Sequence, residues 1–406
     1  MTFVIPLAAA SHVADVLTDL FVVLLAAKLG DELFKRLHQP GLIGEILAGV
    51  LVGPAVFGFA APGEVLEVFA ELGVVFLLFW VGLETRLSQM LAVGRSAAVV
   101  GALGVILPFA GGVAFAFATG EPTATAIFVG VALVATSVGI TSAVLIELGA
   151  LDTTAARTIL GAAVIDDILA MLLLAVAVGL GADGGLDIVS LATTVALALA
   201  FLAFFALGGT RLLASRPRLL HAPQFSESPL LPAVLLCLGL AAFAAHIGLA
   251  AIIGAFLAGM IVAETKEQHP IEEEVAPLYA FFPPFFFAFI GMQVDLGEFV
   301  EPETLGLLAA ITLLAVITKY AGARLGARGL GPHDARVVAI GMIPRGEVGI
   351  IVAGIGAAAG VVEGQLFAVI VGMSVLTTLI VPPLLRRALA NAHPNRHTSN
   401  SAPGDG

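Results

Sequence analysis

The chain has 406 residues, of which 59% are hydrophobic and only 12% charged, and its mean hydropathy is +1.08. Soluble domains carry about 25% charged residues, so this composition excludes a soluble globular protein and leaves little room for a soluble domain beside the membrane. The formal net charge of −12 comes from acidic loops rather than acidic helices and gives no reason to expect a nucleic-acid partner.

Apolar runs read against turn and charge punctuation predict an all-α polytopic membrane protein of about thirteen transmembrane helices. In chain order the expected spans are 13–36, 41–58, 66–83, 95–118, 123–147, 155–180, 187–212, 229–246, 247–263, 273–292, 303–326, 335–359 and 363–387. Residues 1–12 hold no Lys or Arg, so no cleavable signal peptide is expected ahead of the first span. The tail after Arg387 is short and polar and is expected to be disordered. The lone cysteine, Cys237, lies in an apolar run and has no intrachain disulfide partner.

The basic residues test the parity of this count. All but two of the 18 Lys and Arg residues fall on alternate connections or on the C-terminal tail, among them Lys35, Arg36, Arg157, Arg324, Arg328 and Arg386. The intervening connections hold acids such as Glu64, Glu121, Asp183, Glu301 and Glu363, with no Lys or Arg. This segregation puts the N-terminus outside, the C-terminus in the cytoplasm, and the protein in the cell membrane as a multi-pass chain. Merging 229–263 into one bent helix would place the later basic loops on the wrong side.

Thirteen spans divide as six, one and six, and an odd linker span inserts the second six upside down relative to the first. That is the arithmetic of an inverted-topology repeat. The fifth span of each half is interrupted near its centre. In span 5 the break is Ala135-Thr136-Ser137-Val138-Gly139-Ile140-Thr141-Ser142, where four hydroxyls and a glycine offer the backbone other partners. In span 12 it is Gly341-Met342-Ile343-Pro344-Arg345-Gly346-Glu347-Val348-Gly349, where proline removes a helix hydrogen bond. Unwound backbone at membrane depth persists only where protein or a wet cavity satisfies it. Matched breaks in two halves, here two broken and crossing helices, therefore point to a transport site.

Asp166 and Asp167 stand side by side within span 6, at least eleven residues from either end. Each ionised carboxylate at mid-bilayer costs about 2.5–3.5 kcal/mol on insertion scales, so the pair is expected to bind something that moves. Neighbouring helical residues point about 100° apart, so one can pair with a cation while the other faces a cavity. The two cations left inside spans are Lys319 and Arg345. Lys319 is the available partner for one aspartate, and lysine, unlike arginine, gives up its proton when desolvated. Burial disfavours the charged form of a carboxylate, and the same oxygens are hard ligands for a dehydrated Na⁺, so proton and cation compete for one site. Arg345 and Glu347 are expected to pair or to neutralise helix ends at the second break. Glu45 and Glu71 read as scaffold residues and His246 as a surface histidine.

Together these motifs resemble the cation:proton antiporter superfamily, in particular its NhaA/NapA-type sodium/proton antiporters. The resemblance implies that Asp167 alternates between proton and Na⁺ as the metal-binding carboxylate, with Asp166 paired to Lys319. It implies that Thr136, Ser137 and Thr141 help line the site and that Glu347 balances charge where the broken helices cross. It also implies a dimerisation scaffold from residues 1–92 and 229–300, core helices from 93–182 and 301–390, a linker helix at 183–228 and a cytoplasmic tail at 391–406. The expected activity is elevator-type exchange of Na⁺ or Li⁺ for H⁺, electrogenic because two aspartates and a lysine look like that branch. No cofactor and no enzymatic activity are expected, and a homodimer is. A K⁺/H⁺ antiporter or a sodium-coupled symporter on the same fold are the alternatives. An intramembrane aspartyl protease needs its aspartates on different helices, and a passive channel leaves the adjacent acids and buried lysine unexplained.

Overall fold

The structure, a computed structural model, describes residues 7–37, 39–85, 92–181, 230–263, 271–294, 296–299, 301–362 and 364–390, with isolated positions between 193 and 205. Among these residues the secondary structure is helical. The first half comprises α1 (Leu7–Arg36), α2 (Gly41–Val52), α3 (Glu64–Leu83), α4 (Gly94–Ala118), α5 (Thr123–Val134), α6 (Val138–Glu147) and α7 (Thr154–Gly181). The second comprises α8 (Leu230–His246), α9 (Ala251–Ala263), α10 (Ile271–Phe281), α11 (Pro283–Met292), α12 (Pro302–Gly326), α13 (Pro332–Gly341), α14 (Gly346–Ala358) and α15 (Gly364–Ala390). Six of these helices or helix pairs are long and apolar enough to cross a membrane. Most of the expected linker span at 187–212, and the tail from 391, lie outside the described residues, so a count of thirteen rests on sequence for its seventh member.

Spans 5 and 12 are interrupted, as α5–α6 and α13–α14. Spans 8 and 9 are separate helices, joined by a tight connection in which Gly248 takes φ +81°, a conformation that favours glycine. Two expectations need correcting. Span 10 is not one helix, because Pro283 and Pro284 restart it as α11 after Phe282 and proline cannot donate to the preceding turn. Span 2 stops at Val52 rather than near 58, and Gly53 to Ala60 fold back in a turn closed by Gly58 N–H to the Gly53 carbonyl (2.9 Å).

Helix crossings in the two halves correspond. Gly30 of α1 meets Gly44 of α2 so closely that a Cβ on either would strike the other's carbonyl, and Gly254 of α9 meets the Leu240 carbonyl of α8 in the same way. Gly82 of α3 and Gly259 of α9 face the Phe256 and Phe79 carbonyls. Their counterparts Gly49 of α2 and Gly291 of α11 face those of Ala288 and Ile46. The pairs α1–α2 and α8–α9, and the pairs α3–α9 and α11–α2, are thus built alike. α4 and α12 pack on each other, with Gly322 of α12 against the Leu103 carbonyl of α4. Small residues at such crossings let backbones approach, which is what drives helix association in lipid.

Two groups of helices result. α1, α2, α3, α8, α9 and α11 pack mainly on one another, as do α4, α5, α7, α12 and α15. Contacts across the seam between the groups are thinner and run largely through α6 against α3 and α2. Near one end of the seam the Gly41 N–H at the start of α2 donates to Glu147 Oε2 at the end of α6 (3.2 Å). Toward lipid, α1 shows an apolar stripe at every fourth residue, Val13, Leu17, Phe21, Leu25, Leu29 and Leu33.

The glycine crossings predict a positional contrast. Gly259→Ala places its methyl group into the Phe79 carbonyl and is expected to cost about 1–3 kcal/mol, as overpacking does. Gly239→Ala on α8, where a Cβ meets nothing within 4 Å, is expected to leave the thermal midpoint in detergent unchanged or raised. Equal midpoints for the two variants would show that the crossing is not closely packed.

Candidate ion-binding site

The two breaks cross, and each supplies what the other lacks. α5 ends at Val134 and the chain runs extended through Ala135 to Ser137 before α6 begins. α13 ends at Gly341, and α14 starts at Gly346, whose φ of +48° lets the backbone turn directly against Ser137. The Ser137 N–H donates to the Pro344 carbonyl (2.8 Å). Thr141 Oγ1 donates to the Gly341 carbonyl (2.6 Å) and Thr136 Oγ1 to the Met342 carbonyl (3.4 Å). The carbonyl end of α13 is therefore closed by hydroxyls from the other break. Thr136, Ser137 and Thr141 are fully or almost fully buried, and the two threonine oxygens keep lone pairs free to accept.

The carbonyl end of α5 is closed by cations. Arg345 Nη1 donates to the carbonyls of Val134 (3.3 Å) and Ala135 (3.0 Å), and its Nη2 to that of Ala315 (3.2 Å). Lys319 Nζ adds a 2.6 Å bond to the Val134 carbonyl. A helix C-terminus carries about half a negative charge, so two buried cations there are electrostatically matched. Arg345 is held from behind as well, its N–H donating to Thr377 Oγ1 on α15 (3.3 Å). Glu347 occupies the first turn of α14, where a negative charge complements the dipole. Its side chain lies outside the described atoms.

α7 then divides its two acids. Asp166 is fully buried, and its Oδ1 accepts from Lys319 Nζ at 2.7 Å. Lys319 itself is fully buried on α12 and turned inward, not extended toward the helix end. Asp167 points elsewhere. With Leu160, Ala163 and Val164 it forms one face of α7 and lines a pocket of about 10 Å³ closed by Leu78 of α3, Val138 of α6, and Ile252, Ile253 and Phe256 of α9. That is room for about one water. The pocket lies on the seam, with α6 and α7 on one side and α3 and α9 on the other. Among the described residues no group of three or more His, Cys, Asp or Glu could hold a metal.

The expected residues sort themselves by this geometry. Asp166, Lys319 and Arg345 converge at the end of α5, and Thr136, Ser137 and Thr141 knit the crossing, while Asp167 faces the seam. Glu45 is buried on α2 with Lys28 3.7 Å away, whereas Glu71 is exposed on α3. His246 is exposed, its Nδ1 2.8 Å from the Ala242 carbonyl. Two contributions escaped the sequence. One is the bare carbonyls of Val134 and Ala135. The other is the α15 trio Ser374, Thr377 and Thr378, all buried, spaced i, i+3 and i+4 in an apolar span, a pattern that does mark a polar helix face.

A model of the family described as sodium/hydrogen exchanger, transmembrane, matches residues 21–390. The chain belongs to this family. Among sodium/hydrogen exchanger relatives, the Na(+)/H(+)-K(+) antiporter GerN of Bacillus cereus is 37% identical over 368 residues, covering 90% of this chain and 94% of that one. The high-affinity Na(+)/H(+) antiporter NhaS3 of Synechocystis is 34% identical over 418 residues, covering 93% and 91%. Among solved structures, the sodium proton antiporter MjNhaP1 of Methanocaldococcus jannaschii superposes with a TM-score of 0.64 at 17% identity, covering 92% of this chain and 95% of that one, which shows a shared fold. Members of the sodium/hydrogen exchanger family are transporters, not enzymes, and this chain is one of them.

The buried ion pair has a stability signature. Lys319→Met strands Asp166 as an uncompensated buried charge and is expected to cost about 3–5 kcal/mol, while replacing both partners with neutral groups is expected to recover most of it. Thermal midpoints of Lys319→Met, Asp166→Asn and the double variant measure this directly, and a purely additive double variant contradicts the pairing.

Proposed function

We propose that the protein exchanges Na⁺, or Li⁺, for H⁺ across the cell membrane by moving one helix group against the other, with the Asp167 carboxylate carrying each ion in turn. The observation that carries this reading is the position of Asp167: nearly buried, beside the crossed breaks, and facing the seam rather than the interior of its own group. A carboxylate there is handed from one side of the membrane to the other if the α4–α7 and α12–α15 core slides past a scaffold of α1–α3 and α8–α11. The scaffold also forms the homodimer in this reading. The exchange needs no cofactor, since both ions are cargo. The alternation of basic and acidic connections supports an outside N-terminus and a cytoplasmic C-terminus.

Charge movement follows from the second acid. In the proton-loaded core, Asp167 is neutral while Lys319 stays protonated against Asp166. When Na⁺ binds, Asp167 gives up its proton to become the ligand, and the shifted field lets Lys319 release a second. Two protons then travel one way for each Na⁺ the other way, so the cycle carries one net charge. Potassium is a further candidate cargo because a relative of high identity is named for it.

Proteoliposomes with an imposed proton gradient test the exchange. Na⁺ is expected to dissipate the gradient and to give a transient current on a solid-supported membrane, with Li⁺ and K⁺ run beside it. Asp167→Ala is expected to abolish both signals. An unaltered mutant removes Asp167 from the mechanism, and exchange without current in the wild type removes the second proton.

Sliding is tested by fastening the seam. Cysteines at Leu160 on α7 and Phe256 on α9 face the same pocket, and the one native cysteine, Cys237, is first replaced by alanine. A bifunctional thiol linker is expected to stop exchange relative to the same protein unlinked, and reduction to restore it. Full activity at complete cross-linking refutes relative motion of the two groups.

A further inference from the structure

At the end of α12, away from the ion site, Arg324, Leu325, Arg328, Gly331 and Pro332 line a pocket of about 410 Å³. We propose that this pocket binds the phosphate headgroup of an anionic membrane lipid.

The first argument is charge. Some cations near helix ends have carboxylates beside them: Lys35 with Asp31 at 2.9 Å, Arg36 with Glu32 at 2.8 Å, and Arg157 with Asp152 at 3.6 Å. Among the described residues no carboxylate lines the α12 pocket. Among the described residues neither Arg324 nor Arg328 has a hydrogen-bonded or ion-paired partner. Asp334, in the first turn of α13, does not reach its wall. Arginine forks match phosphate oxygens in pairs, and two that line one cavity supply a donor set with no partner among the described residues.

The second argument is backbone. Gly331 and Pro332 are the N-cap and first residue of α13, a helix of 10 residues whose N-terminus has no side-chain cap. The pocket thus meets the positive end of that helix dipole, although Pro332 itself has no N–H to donate, so the guanidinium groups remain its donors.

The third argument selects a lipid over a soluble anion. Leu313 and Ile317 of α12 are 60% and 55% exposed and form its lipid-facing side. Arg324 follows Ile317 by seven residues, on the same helix face. The pocket therefore opens where an acyl-covered surface ends, and Leu325 in its wall is itself exposed. Gly326, beside the pocket, packs on Val99 and Val100 of α4. Snorkelling would account for Arg324 alone. It does not account for Arg328, which lies beyond the helix in a 3-10 turn, Arg328–Leu330, and lines the same cavity. Basic pockets between membrane helices are known to hold anionic headgroups.

Native mass spectrometry of the full chain in detergent, titrated with phosphatidylglycerol or phosphatidylethanolamine, tests this site. The anionic lipid is expected to be retained preferentially. Retention should weaken about fivefold for each guanidinium lost, so Arg328→Gln alone and Arg324→Gln/Arg328→Gln give graded losses. Arg324→Lys/Arg328→Lys keeps most of the binding, and Arg36→Gln, whose arginine is already paired, leaves retention unchanged. Exchange in zwitterionic vesicles reports that each variant is folded. Unchanged retention in Arg328→Gln and the double glutamine variant overturns the proposal, as does an equal loss in Arg36→Gln. Displacement of the lipid by millimolar inorganic phosphate also overturns it, in favour of a soluble-anion site.

Discussion

Unwound backbone inside a bilayer has to find its hydrogen-bond partners within the protein, and the architecture around the candidate ion site answers that constraint. Two interrupted helices cross so that the open carbonyls of one meet the hydroxyls of the other, while the remaining open end is met by two cations. Neither solution works alone. Remove the second break and Ser137 loses the Pro344 carbonyl. Remove Arg345 and Lys319 and the end of α5 becomes a bare negative pole in a dry interior. The crossing is therefore a mutual structure, and its cations are held by backbone geometry as much as by any acid.

The tandem aspartates take opposite parts because a helix turns about 100° per residue. Asp166 points inward and is bound to Lys319, whose Nζ is shared between that carboxylate and the Val134 carbonyl. Asp167 points outward into an apolar pocket with space for about one water. A single step in sequence thus joins a charge fixed inside one helix group to a charge presented at its boundary. Lys319 touches the first and closes the open end of α5.

Much of this was legible in the residues. Adjacent acids far from either end of span 6, and hydroxyls or prolines at matched places in two halves, were visible as violations of what lipid tolerates, and they lead to Asp166, Asp167, Thr136, Thr141 and Arg345. The small-residue crossings followed no such rule, because glycine is common in membrane helices and only packing separates Gly82, pressed on a carbonyl, from Gly239, facing open space. The pocket around Asp167 was equally silent. Leu78, Ile252 and Phe256 are ordinary apolar residues, and their meeting depends on the seam. The restart at Pro283 was written in the sequence but was outweighed there by a continuous apolar run. The role of Arg345 was open between an acid partner and a helix end, and local spacing could not have decided it, since its acceptors lie some two hundred residues away at Val134 and Ala135.

The distribution of bonds also says where such a molecule can yield. Within the α4–α7 and α12–α15 group, charged and hydroxyl groups tie α5, α6, α7, α12, α13 and α15 together by directional bonds that leave little freedom to shear. Around Asp167 the facing walls are aliphatic and aromatic, and contacts of that kind are non-directional, so they re-form after a displacement at small cost. The Gly41–Glu147 bond that crosses the seam near one end is of the other kind, because a carboxylate and a backbone amide must be re-solvated or re-partnered if they part. A rigid charged unit beside a slippery apolar boundary, pinned near its rim, is the mechanical arrangement that the proposed exchange requires, with one carboxylate carried while the backbone that positions it stays intact.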